Sequence, residues 1–400
     1  MANDNRRSVL RGIGALGVGG LAGCLGDNGQ SNQTTTDTND EGNTSEDTTT
    51  TTESSPPKVG LSMTFGGGSW ITAFRDGVEL YADDQNFNYN FYGSERDAQQ
   101  EVQDFRTMVN QEFDGILSKP WDSRAISQAV EDAKEAGVPT FTVDTDATTP
   151  DVAMFTAFSN RQAATTAGET LLSRTKEANP DQDSFKVLDI MGTQGAQITT
   201  DRDEPFVTLM ENTDGFEIAA KLRGKYRVEP SRQATQEWVN ANGVPDAIYT
   251  ANLTMAIGAL NALDNLGHAH PRGHDDHVVI VTIDAGPQVI SKINEGLVDA
   301  AIDQPNYFYG PIALHYLEKY LEGDGEAELP EIGETITEDD LTIESAEHEI
   351  NGETVELWAD PIWAPAEIKE KNGHRYFETN NIVVTEENAD AEYLWGNIWG

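Results

Sequence analysis

Several short runs in this 400-residue chain carry side chains able to grip a polyhydroxylated ring. They are Phe65-Gly66-Gly67-Gly68-Ser69-Trp70, Lys119-Pro120-Trp121, Asp144-Thr145-Asp146, Gly192-Thr193-Gln194-Gly195, Lys225-Tyr226, Asn252, Asp284 and Gln304. Together they supply aromatic rings, carboxylates and amides, with little positive charge and no matched acid–base set. Carboxylates and amides accept from and donate to hydroxyls, while flat rings cover C–H faces and exclude water. Charge-assisted hydrogen bonds are the stronger ones, so Asp144 and Asp284 are the expected anchors.

Each feature also has a plainer structural reading. Trp70 could be a core residue at a helix start, and Asp144, Asn252 and Asp284 could cap loops or helices. A phosphate cradle at Gly66-Gly67-Gly68 would call for a following Gly-Lys-Ser/Thr, and none is there. Neither Gly-x-Ser-x-Gly nor His-Glu-x-x-His occurs, so no hydrolase motif is present and no cofactor is implied. His268, His270, His274 and His277 share one loop with Asp275 and Asp276, which reads as a solvated loop rather than a metal site.

Each of these runs follows a segment that reads as a strand. The strands are Val59–Thr64, Asn88–Tyr92, Gly115–Ser118 and Thr140–Val143, separated by helices at Trp70–Ala82, Ala98–Asn110 and Ser123–Ala136. A second block repeats the scheme, with strands at Phe185–Met191, Phe216–Lys221, Ala247–Thr250, Val278–Ile283 and Ala300–Ile302. Its helices are expected at Asp201–Asn212, Gln233–Ala241, Met255–Leu266, Gln288–Glu295 and Ile312–Leu321, and a further helix, Arg161–Lys176, lies at the boundary between blocks. Strands alternating with helices imply an α/β fold with parallel sheets, and so many units imply two αβα lobes. Ligands of such sheets lie beyond the carboxyl ends of the strands, where these runs stand.

The first 57 residues read differently. Arg6-Arg7 precedes an apolar, Gly-rich run from Ile13 to Leu21, then Leu21-Ala22-Gly23-Cys24. The run is shorter than the ~20 apolar residues of a spanning helix. It resembles a twin-arginine export signal ending in a lipoprotein box, with Cys24, the only cysteine in the sequence, as the lipid attachment point. Residues 25–57 are dominated by Thr, Ser, Asn, Asp and Glu, too polar to offset chain entropy, and read as a disordered tether.

Charge completes the frame. Lys and Arg number 26 against 69 Asp and Glu, a formal net charge of −43. Such a surface repels phosphate backbones and excludes a duplex nucleic-acid partner. The acidity is spread along the chain, as in halophilic proteins, whose self-repulsion is screened where the Debye length shrinks to about 3 Å at 1 M salt.

The order of the motifs resembles the periplasmic sugar-binding proteins of the ribose-binding type. The resemblance rests on Arg75-Asp76-Gly77, Glu135-Ala136-Gly137-Val138-Pro139 running into Asp144, Asn252 through Leu260, Ile283-Asp284-Ala285-Gly286 and Ala301-Ile302-Asp303-Gln304. It spans Lys58 to Glu322 and resumes at Phe377–Asp390, where Asn381–Asn388 looks like the final strand. It implies two lobes joined by three crossings that close on a sugar and dock on the permease of an ABC importer. It also implies polar ligand contacts from Asp144, Asn252, Asp284 and Gln304, and stacking by Trp70 and Tyr226. The family's two arginines align with Thr145 and Thr200, with Arg202 two residues further on, and its Asn-Pro-Phe-Phe is replaced by Gly67-Gly68-Ser69-Trp70-Ile71. These departures imply a ligand different from or larger than ribose.

The expected organisation is an export signal (1–24), a tether (25–57), a first lobe (58–158 plus 305–330) and a second lobe (159–304 plus 331–400). Residues 326–374 stand as an insertion of unassigned role. A receptor for a nucleoside or a signalling furanone, and a secreted sugar-modifying enzyme, are the alternative functional readings. A sugar-responsive repressor would carry a DNA-binding unit where this chain has its export signal.

Overall fold

The computed structural model describes residues 56–64, 68–94 and 97–400. The export signal, Cys24 and all but the end of the tether lie outside the described residues. Among the described residues no helix is long and apolar enough to cross a membrane.

The chain first lays down β1 (Lys58–Thr64), α1 (Ser69–Asp84), β2 (Asn88–Ser94), α2 (Ala98–Asn110), β3 (Gly115–Lys119), α3 (Ser127–Glu135), β4 (Thr140–Val143) and β5 (Met154–Phe158). It continues through α4 (Asn160–Ala178), β6 (Phe185–Met191), α5 (Gln197–Glu211), β7 (Phe216–Arg223), α6 (Val228–Asn242), β8 (Ala247–Thr250), α7 (Leu253–Leu266), β9 (Val279–Ile283), α8 (Pro287–Asn294) and β10 (Ala300–Asp303). After α9 (Tyr309–Glu322) come β11 (Thr335–Ile336), β12 (Ala346–Ile350), β13 (Glu353–Leu357), β14 (Ala366–Lys371), β15 (His374–Thr379), β16 (Ile382–Val384) and α10 (Trp395–Ile398).

Two large sheets and the two-stranded β12–β13 hairpin result, and the first five strands of the large sheets share one order. One runs β2-β1-β3-β4-β5, the other β7-β6-β8-β9-β10, all parallel. Every residue of β3, β4, β5, β8, β9 and β10 is buried, as expected of parallel strands covered by helices on both faces. In this order the topological switch points fall between β1 and β3 and between β6 and β8, where ligands bind. Local chemistry ends the elements cleanly. Asn252 caps α7 by accepting from the Met255 N–H, and Gly267 closes it in the left-handed region that glycine tolerates.

Three connections cross between the lobes, at residues 158–160, 303–309 and 379–382. α9 returns to pack on β3, β4 and β5 of the first sheet. The expectation that residues 331–400 belong to the second lobe is overturned as far as Thr379. β15 lies parallel to β5, β14 pairs antiparallel with β15, and β11 with β14, extending the first sheet. Only β16 joins the second sheet, antiparallel to β10, and it is shorter than the strand expected at Asn381–Asn388. The physical reason is an edge left open by the parallel order: β5 presents a row of unpaired groups that β15 satisfies.

Two smaller differences concern element ends. β5 was not anticipated, because Met-Phe-Thr-Ala-Phe is short, buried throughout and without a clear polar–apolar alternation to read. The helix expected at Ser123–Ala136 begins only at Ser127. Asp122 instead accepts from the Arg124 and Ala125 N–H groups and closes a turn ahead of it.

Gly77 lies on the buried face of α1 against the second crossing. A Cβ there would stand 2.5 Å from the Tyr307 carbonyl oxygen and 2.8 Å from its Cα. Helix propensity alone would make Gly77→Ala stabilising by about 1 kcal/mol, but an overpacked backbone contact costs about 1–3 kcal/mol. Gly77→Ala is therefore expected to lower the unfolding midpoint in molar salt; a raised midpoint would refute the contact.

Asp303, the last residue of β10, gives a pH dependence. Burial pushes its carboxyl up to about 7 from the ordinary 3.8, although Oδ1 accepts from the Ala285 N–H (2.9 Å) and the Trp395 indole (2.8 Å). Oδ2 is buried with no hydrogen-bond partner among the described residues. The folded state thus keeps a proton that the unfolded chain releases, so this group's contribution to stability falls between about pH 4 and pH 7 and is level above. Asp303→Asn should gain stability relative to the parent protein across that window, measured by denaturant melts at several pH values. A constant difference between the two would contradict the assignment.

Candidate functional site

The carboxyl ends of the two sheets carry matching turns. Asp144 leaves β4 and Asp284 leaves β9 with φ of 58° and 73°, a region Asp tolerates better than most residues. The Asp144 N–H bonds the Thr156 carbonyl in the middle of β5 (3.0 Å), and the Asp284 N–H bonds the Ile302 carbonyl of β10 (2.9 Å). The two carboxylates therefore hold the same place in the two repeats.

In the first lobe, Asp144 pairs with Lys119, the last residue of β3. Lys119 Nζ lies 3.0 Å from Asp144 Oδ2 and 5.7 Å from the centre of the Trp70 ring. Trp70 stacks on Phe74, with centroids 5.6 Å apart and planes within 7°. Its indole Nε1 is buried without a hydrogen-bond partner among the described residues. Trp70 is thus partly core, and its indole N–H remains an unused donor beside a cation and a carboxylate.

In the second lobe, Arg202 of α5 is almost wholly buried. It donates from Nη1 to the Ala251 carbonyl and from Nε to Asn160 Oδ1, both at 2.7 Å. Nη1 also stands 3.5 Å from Asp284 Oδ2. Burial alone would pull the guanidinium down, but Asp284, the phenolic oxygens of Tyr226 and Tyr249, and Asp144 more than offset it and hold it above its ordinary value.

Gln304 completes this half. Its Nε2 donates to Asp284 Oδ1 at 2.6 Å, and its Oε1 accepts from the Tyr309 hydroxyl at 3.0 Å. That hydroxyl accepts in turn from the Phe158 N–H at 3.1 Å. Gln304 and Tyr309 flank the second crossing and Phe158 opens the first, so the acid of the second lobe is wired to both connections.

Arg202, Asp284 and Gln304 are thus in direct contact, whereas Trp70 and Asp144 meet through Lys119. Asn252 is placed beside Arg202 through its neighbour Ala251. Its Oδ1 is used within α7, accepting from Met255 N–H and Thr254 Oγ1, while Nδ2 makes no hydrogen bond among the described residues. Capping and a ligand contact are compatible through these different atoms. Tyr226 turns out of β7 with φ of 56° and shares a 3.0 Å hydrogen bond with Thr199. A Cβ at Gly192 would fall 2.1 Å from the Tyr226 ring, so glycine is what admits the ring there.

From sequence, Lys119 stood only within the run Lys119-Pro120-Trp121 with no ligand contact assigned to it, and Tyr309 was not singled out. Lys119 was visible at a strand's carboxyl end, which is the signal that finds it; nothing local marks Tyr309. The histidine loop brings ligand atoms of His270, His274 and Asp276 within 4.8 Å of one another. There the Asp276 N–H already occupies His274 Nδ1, and His277 is tied to Asp299 and the His270 carbonyl.

Comparison with known proteins agrees with this architecture. Residues 59–325 match the family described as periplasmic binding protein domain. The ribose import binding protein of Bacillus subtilis is 22% identical over 265 residues, 66% of this chain and 82% of that protein. The galactofuranose-binding protein of Escherichia coli is 23% identical over 273 residues, 67% and 83% of the two chains. A solute-binding protein from Actinobacillus succinogenes with bound D-allose superposes with a TM-score of 0.64 at 18% identity, covering 84% of this chain and 99% of that one. A Bacillus halodurans solute-binding protein with bound myo-inositol gives 0.63 at 18% identity, covering 86% and 100%. With two-thirds of its length matched and two sheets of the same strand order, the chain belongs to the periplasmic binding protein domain family.

Proposed function

We propose that the chain is the extracytoplasmic receptor of an ABC importer, capturing a sugar or sugar-like polyol between its lobes and presenting it to the membrane permease. The observation that carries this reading is the pair of equivalent half-sites, Lys119–Asp144 on one lobe and Arg202–Asp284–Gln304 on the other. Each offers fixed donors and acceptors at a strand's carboxyl end, and the four charges cancel. A neutral, hydroxyl-rich guest meets no net charge there, and a site built for hydroxyls rejects analogues that lack them.

In this reading Asp144, Asn252, Arg202, Asp284 and Gln304 hydrogen-bond the hydroxyls, while Trp70 and Tyr226 cover the ring faces. Lys119 and Arg202 supply the cations for which the resemblance offered only Thr145 and Thr200. Sugar binding stabilises the closed arrangement only insofar as the closed state binds it better than the open one. The receptor is exported through Arg6-Arg7, anchored by lipid at Cys24 and held off the membrane by its tether. Its acidity suits it to molar salt.

A thermal-shift screen of pentoses, hexoses, inositols and nucleosides in molar salt is the direct test. A ligand at 100 times its Kd contributes about 2.7 kcal/mol, so at least one sugar or inositol should raise the unfolding midpoint. Asp284→Ala should abolish that shift while unfolding stays cooperative, and Asp284→Asn should weaken it. An undiminished shift in Asp284→Ala would refute the site, and stabilisation by nucleosides alone would refute the sugar. For the anchor, Cys24→Ser is expected to release the protein from the membrane fraction into the medium; retention on the membrane would contradict lipid attachment.

A further inference from the structure

The segment after residue 325 lies outside the family match, yet it returns to the ligand face at one point. β14 and β15 are joined by Asn372-Gly373, both with positive φ (54° and 88°), the two-residue turn that Asn-Gly favours. This turn is pressed against the loop that follows β4, since a Cβ on Gly373 would stand 2.9 Å from Pro150 Cβ.

Two side chains of the hairpin converge on one buried carboxylate in that loop. Asn372 Nδ2 donates to Asp146 Oδ2 at 2.8 Å and to the Ala147 carbonyl at 3.2 Å. His374 Nε2 stands 3.1 Å from both Asp146 oxygens, and its Nδ1 stands 2.9 Å from the Thr149 carbonyl. Asp146 Oδ1 also accepts from its neighbour's N–H (Ala147, 2.8 Å) and from Thr142 Oγ1 in β4 (3.0 Å). Asp146 and His374 are each only 5% exposed.

Asp146 is two residues beyond Asp144, whose left-handed turn is tied to β5 by the bond from its N–H to the Thr156 carbonyl. We propose that the β14–β15 hairpin is a clamp for the ligand loop, in which Asn372 and His374 hold Asp146 so that Asp144 meets Lys119 and the guest in one geometry. Neither residue touches the guest; both are positioning residues acting through Asp146. The proposal rests on the reading that Asp144 binds ligand, and it gives the appended strands a part in affinity. A loosened loop would have to be ordered again at each binding event, which lowers apparent affinity.

The test uses the mature full chain in molar salt with Asn372→Gly, which tolerates the turn's φ values and removes the side chain that donates to Asp146, and His374→Ala. In ligand-free protein, amide hydrogen exchange at residues 144–149 should quicken about tenfold in both variants, while β1 and the strands of the second lobe keep their rates. Affinity for a sugar that stabilises the parent protein should fall by a similar factor. Unchanged exchange at 144–149, or a uniform rise across the chain, overturns the clamp. A loosened loop with undiminished affinity overturns its role in binding. Exchange needs no ligand, so a parent protein that binds no sugar would sink the receptor reading and leave the clamp to be judged by exchange alone.

Discussion

A chain of buried donors runs from the Phe158 N–H through the Tyr309 hydroxyl and the Gln304 amide to the Asp284 carboxylate, which Arg202 faces from the other side. Buried polar groups must be satisfied, and such chains strengthen cooperatively in a low dielectric. Here the requirement has a mechanical consequence. Phe158 belongs to the first crossing and Gln304 to the second, so the place of Asp284 depends on how both connections run. The Tyr376 hydroxyl adds β15 to the arrangement by donating to the Phe158 carbonyl at 2.8 Å. In the proposed reading, a guest that pulls on Asp284 therefore pulls on the hinge. That is what a receptor whose lobes must register occupancy requires.

Duplication supplies the rest of the site. Two sheets with the same strand order place Asp144 and Asp284 at equivalent turns, and each gains a cation from a different source. In the first lobe the partner is the end of a neighbouring strand, Lys119; in the second it is a helical residue, Arg202. The second pair is the more enclosed, its side chains 4% and 9% exposed against 10% and 24% for Lys119 and Asp144, with the guanidinium divided among Ala251, Asn160 and Asp284. Removing one partner of such a buried pair costs about 3–5 kcal/mol, mainly because the other charge is left stranded. The second half-site is accordingly the rigid one, and the first depends on what holds its loop.

Much of this was legible in the sequence, for stated reasons. Parallel strands buried on both faces read as short apolar runs between helices, and the residues after them could be collected before any geometry was known. Asp284, Gln304 and Arg202 do meet. The two-lobed reading also survives, because it rests on counting βα units rather than on their exact ends. What escaped was non-local. Whether Ala366–Thr379 joins one sheet or the other depends on which edge is open, and β5, which offers that edge, was itself missed. Asn351-Gly352 and Asn372-Gly373 were readable hairpin signals, but their strands are rich in Glu and Lys, which weakens any strand pattern. The pairing of His374 with Asp146 spans 228 residues and leaves no local trace.

The most direct measurement is a crystal structure of the mature protein grown in molar salt with a stabilising sugar bound. The account predicts sugar density between the lobes, with hydroxyls within hydrogen-bond reach of both Asp144 and Asp284 and a ring face against Trp70 or Tyr226. Density held by one lobe alone, or found away from the carboxyl ends of the two sheets, would contradict it.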